Sequence, residues 1–167
     1  MAEIVGTLLL EGIKELVDYL KKKRKNKHVK TADLHNIVIN LSGHPLSKDA
    51  KTMLNPDFLL NIFPDVDMQE ELSISLVRAS SGIIKKILQS AEKNGFIEDI
   101  LTGNYRIILP GFSSLAALVI TELHAITGHF PPIISMKRIQ HEFLPSEPIF
   151  LQDIRDSVRN TIRKRLE

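Results

Sequence analysis

The chain has 167 residues, 43% hydrophobic and 25% charged, the size and mix of one globular domain. It contains no cysteine, which excludes disulfide scaffolds, thiolate zinc sites, iron–sulfur clusters and cysteine nucleophiles, and fits a cytoplasmic location. The net charge of +2 divides unevenly: residues 1–30 hold eight Lys/Arg against four Asp/Glu (+4), and residues 31–167 hold 14 against 16 (−2).

A body without a basic surplus is not a general DNA-binding surface, although a few local donors can still hold a small anion. No apolar run reaches the roughly 18 residues that a transmembrane segment needs. The start of the chain lacks the basic region of a signal peptide, and Glu11, Lys14 and Glu15 interrupt its apolar stretch.

Residues 3–20 place Ile4, Leu8, Leu9, Ile13, Leu16, Val17 and Leu20 at helical spacing, which predicts an amphipathic helix. The basic run Lys21-Lys22-Lys23-Arg24-Lys25 follows. Residues 1–30 therefore read as a helix and linker appended to a domain over 31–167. The polar face of the helix is mixed in sign, so packing on the body or on a second copy is favoured over an in-plane membrane anchor.

From residue 36 the pattern changes to strands and helices in alternation. Asn36–Leu41 is a short β-branched run that suits a buried strand, and Ser42-Gly43-His44-Pro45 is the turn that ends it. A helix over 47–54, a strand over 58–63 and a long helix over 69–93 follow. Asn94-Gly95 stops that helix, because both residues tolerate the left-handed backbone required there. Gly82 weakens its middle, and a kink or a close contact is expected there.

Tyr105–Leu109 reads as a third strand, Pro110–Ser114 as a tight turn, and 115–126 as a buried helix. A fourth strand is expected over 133–138, then a loop through Pro145 and a short strand over 148–150. The last helix carries Leu151, Ile154, Val158, Ile162 and Leu166 on one stripe. This alternation predicts an α/β, Rossmann-like, mainly parallel sheet flanked by helices. Ligands of such sheets sit outside the carboxyl ends of the strands, where the turns 42–45 and 110–114 fall.

Gly111-Phe112-Ser113-Ser114 joins a strand to a helix start, where free backbone N–H groups and the helix dipole favour an anion. Helix capping by Ser113 or Ser114 accounts for the same residues equally well. Neither the dinucleotide-binding fingerprint nor a Walker loop is present. His44, His124 and His129 are the titratable candidates. The spacing of His124 and His129 matches no zinc motif, so no metal or cofactor is expected. His44, beside Gly43 and Ser42, has the better claim to meet a ligand. Lys137 and Arg138 stand at a strand end, where a cation can neutralise phosphate, although a solvated strand end is the commoner reason for such residues.

Leu109–Ser114 through Glu122-Leu123-His124, then Gly128-His129-Phe130-Pro131-Pro132, resembles a known family. It looks like the small single-domain accessory proteins of type III CRISPR systems, whose fold is akin to the CRISPR-associated Rossmann (CARF) domain. The resemblance extends to Asn40–Leu46 and to Ile149–Asp156, and departs at Ala125, where glycine is expected.

It implies binding of a cyclic oligoadenylate, above all cyclic tetra-adenylate, by a homodimer or a ligand-bridged higher oligomer. Sequestration of that messenger is the leading expectation. A metal-independent ring nuclease, in which the ligand's own 2′-hydroxyl attacks the neighbouring phosphate, is the alternative. An adaptor docking through its N-terminal helix is the third. The residues expected around the ligand are Ser42, Gly43, His44, Gly111, Phe112, Ser113, Ser114, His124, His129 and Arg138. Phe112 is a candidate for stacking on adenine, and a side chain wedged into the core accounts for it equally well.

Overall fold

The computed structural model describes residues 35–166. The expected helix and basic linker over 1–30 lie outside the described residues.

Three short strands form a parallel sheet in the order β2-β1-β3, with β1 at Ile37–Asn40, β2 at Phe58–Asn61 and β3 at Arg106–Ile108. β1 pairs Ile37 with Phe58 on one side and Val38 with Arg106 on the other. Every residue of β1 is buried, as a central strand covered on both faces requires. Successive side chains then serve opposite cores. Ile37, Ile39 and Leu41 join Ile107 beneath helices α2 (Leu72–Lys93) and α4 (Ser113–Thr127). Val38 joins Ile108, Leu46, Ala50, Leu54 and Ile134 on the opposite face, under helix α1 (Lys48–Leu54). The short helix α3 (Ile97–Leu101) leads from α2 into β3.

The helix boundaries have local causes. Ser47 caps α1, its hydroxyl accepting from the Ala50 N–H at 3.1 Å, and Asn55 closes it in the left-handed conformation at φ +40°. Gly128 closes α4 at φ +76°, and Gly95 takes φ +84° just after α2. Gly82 has open space around the position of a side chain, so no close contact explains it.

After α4 the structure departs from the expected single strand over 133–138. Ile133 makes one parallel bridge to Ile107 and one antiparallel bridge to Ile149. The chain then leaves the sheet and folds into an antiparallel hairpin, β4 (Met136–Ile139) and β5 (Glu142–Pro145). Part of the expected loop through Pro145 is thus a strand. The turn is Gln140-His141, with Gln140 at φ +56°. It lacks the Asn-Gly or Asp-Gly pair that signals a hairpin in a sequence. Met136 and Leu144 pack the hairpin against the α1 core. The terminal helix α5 (Leu151–Leu166) follows. None of the helices in the described residues is long and apolar enough to cross a membrane.

Glu122 of α4 is buried at the interface with α2, where Ser81 donates to its carboxylate at 3.4 Å. Burial raises its pKa, and the neighbouring serine hydroxyls only partly offset the shift. A carboxyl whose folded pKa is raised stabilises the fold most below its unfolded pKa. That contribution is lost as pH rises through the folded value. Glu122→Gln is therefore expected to raise the melting temperature at neutral pH. The gain should shrink as pH falls through the carboxylate range, which thermal melts at stepped pH will measure.

Candidate functional site

The carboxyl ends of β1 and β3 send their chains to opposite faces of the sheet, β1 into α1 and β3 into α4. That divergence opens a crevice, the place where parallel α/β sheets hold ligands. A pocket of about 620 Å³ occupies it, within the range of small-molecule sites. Its walls are Ser42–Ser47 except Gly43, Ile108, Leu109 and Gly111, the Ile133–Met136 segment, and His141–Phe143 of the hairpin.

The first wall is organised by one side chain. Asn40 ends β1 and is 2% exposed. Its amide nitrogen donates to the His44 carbonyl at 2.8 Å and to Asn61 Oδ1 at 2.9 Å. Its Oδ1 accepts from the Ser42 hydroxyl at 2.7 Å and from the Ser42 N–H at 3.1 Å. Gly43 takes φ +80° between them, a conformation that side chains disfavour. Ser42 has a single hydroxyl proton, and Asn40 holds it. Ser42 therefore shapes the turn, and the exposed His44 is what the turn presents to the pocket.

The second wall is the start of α4. Gly111 lines the pocket with open space around the position of a side chain. Phe112 is the residue preceding the helix and makes no side-chain cap bond. It is 42% exposed, so it is not a core wedge. Ser113 and Ser114 are exposed on the first turn, and neither is the residue that caps it. Phe112, Ser113 and Ser114 follow the lining residue Gly111 without lining the pocket themselves, and the positive end of the 15-residue helix lies at this turn.

The hairpin supplies the third wall with His141, Glu142 and Phe143. None of these is among the residues expected from sequence, because nothing there marked the hairpin. Arg138 faces Phe143 across the hairpin and shares its face, so it stands beside the pocket without lining it.

The structure separates the two remaining candidates from this site. α4 runs away from the pocket, and His124 lies ten residues beyond Ser114, about 15 Å along the axis. Its ring stacks on Phe130 with centroids 4.0 Å apart. A side chain at Gly103, just before β3, would meet His129 at 3.2 Å, which puts His129 at the amino edge of the sheet. His124 and His129 thus belong to the opposite end of the domain. Among the described residues no group of three or more His, Asp or Glu is placed to hold a metal ion.

Comparison with known proteins gives no matching family model, curated protein or solved structure.

Asn40→Ala should cost roughly 2–3 kcal/mol, because it removes several hydrogen bonds at a buried position. Urea denaturation checks this, and Ser42→Ala is expected to cost less.

Proposed function

We propose that this protein binds a cyclic oligoadenylate, cyclic tetra-adenylate above all, and lowers type III CRISPR signalling by sequestering the messenger. The fold is then a small CARF-like variant of the Rossmann arrangement. The observation that carries the reading is the pocket at the carboxyl ends of β1 and β3, lined by Gly111 two residues before α4 begins. Its chemistry suits a ring of phosphates and adenines. Backbone N–H groups and the hydroxyls of Ser113 and Ser114 offer donors to phosphate. Phe143 and the ring of Phe112 offer faces for adenine, and Arg138 a cation at the rim.

Four nucleotides exceed about 620 Å³, so one pocket takes only part of the ring. A second copy related by symmetry supplies the rest, which makes the working unit a dimer or a ligand-bridged stack.

A ring nuclease is the second reading, favoured by two imidazoles, His44 and His141, on walls of one cavity. There the ligand's 2′-hydroxyl would attack the adjacent phosphorus as one imidazole takes its proton. The 5′-oxygen would leave with a proton from the other, giving a 2′,3′-cyclic phosphate.

Incubating the protein with labelled cyclic tetra-adenylate and following retention and products separates the readings. Retention with intact ligand supports sequestration, and linear products support cleavage. Absence of binding at micromolar protein overturns both. Gly111→Val should abolish binding with an unchanged melting temperature, since its side chain enters open pocket space. Ser113→Ala with Ser114→Ala should weaken binding by roughly tenfold, through loss of two neutral hydrogen bonds, again without destabilisation. Calorimetric titration and thermal melts on the same samples check both.

A further inference from the structure

α5 leaves the body with its apolar stripe uncovered by the other described residues. Ile154, Val158 and Ile162 are each 53% exposed and lie four residues apart, on one side of the helix. Ile149 and Phe150, exposed at 44% and 51%, precede the helix and extend the run of apolar surface towards the body. A stripe at this spacing is how a helix buries itself against another element. No described residue of the helix from Asp153 onward is buried.

Charge selects what covers it. α5 carries Arg155, Arg159, Arg163, Lys164 and Arg165 against Asp153 and Asp156, a net +3. At 100° per residue, positions 155 and 159 flank the stripe, and positions 153 and 156 fall on the far side. A second α5 would set +3 against +3. Residues 3–20 of this chain have the opposite character. They hold Glu3, Glu11, Glu15 and Asp18 against Lys14, a net −3, beside an apolar face of their own.

Position agrees with charge. His35, the first described residue, and Phe150, at the start of α5, line the same cleft of about 310 Å³. The amino-terminal segment therefore joins the body next to the point where α5 begins. Residues 21–34 reach up to about 46 Å when extended, and α5 is about 24 Å long. Residues 3–20, coiled as their spacing predicts, would span about 27 Å. We infer that the apolar stripe of α5 is the docking surface for residues 3–20 of the same chain, held by apolar burial and by acidic side chains against the α5 arginines.

Hydrogen exchange on the full chain tests this. Amides of 154–162 should be protected, and Ile13→Glu with Leu16→Glu should lower that protection by about tenfold or more while β1 is unaffected. Equal exchange in both proteins overturns the inference. Because the chain lacks cysteine, Ser157→Cys, beside the stripe and not in it, takes a single nitroxide label. The label should broaden resonances of residues 3–20 within its own molecule. Broadening found only between differently labelled copies assigns the stripe to a second chain and overturns the inference. So does protection that appears only with phosphatidylglycerol vesicles, which assigns it to a lipid surface.

Discussion

The burial of β1 on both faces is the constraint that the rest of the structure depends on. Four residues between two neighbours must send alternate side chains into two separate cores, so no position in the strand can be freely polar. Asn40 is the exception, and it is tolerated because its amide is fully engaged. The side chain ends the strand, locks it to Asn61 of β2 and bends the following turn around itself. A buried polar group that is satisfied on all sides specifies one geometry. The site's first wall is therefore an extension of the sheet's own hydrogen bonding.

The pocket follows from topology more than from any single residue. α1 covers one face and α4 the other, and their connections must part at the sheet edge. The crevice between them would be shallow if the chain ended at α4. The segment from Ile133 onward closes it, pairing briefly with Ile107 before turning into the hairpin. Two polar loops and an apolar floor then meet a wall that carries an imidazole and a phenyl ring. The lining thus mixes polar, apolar and aromatic groups, and residues 31–167 carry a slight excess of acidic charge.

The amino edge of the sheet is built differently. Asn36 donates to the carbonyls of Leu54 and Asn55, and Arg106 donates to Asn36 and to Leu54. His35 meets Asp99 at 3.2 Å, and Asn104 bonds Asp99 at 2.8 Å. These polar groups bind one another and consolidate the end of the domain where β1 and β3 begin. The histidines His124 and His129 stand at this consolidated end, which is why two residues attractive in sequence do not join the pocket.

Much of the α/β alternation was legible in the sequence because burial on two faces leaves a mark that needs no neighbours. The apolar runs at 37–39 and 107–108 and the stop at Asn94-Gly95 each follow from local chemistry. The turns 42–45 and 110–114 were legible as loops for the same reason, since each follows a buried strand. Only the tertiary structure decided which candidates share a cavity. Distance along α4 removes His124 and His129, and hairpin pairing brings in His141, Glu142 and Phe143. The hairpin was illegible because Gln140-His141 reaches its turn geometry without glycine or asparagine, held there by strand pairing and by packing of Met136 and Leu144. Composition marks which residues want burial; only the closed chain sets what each one meets.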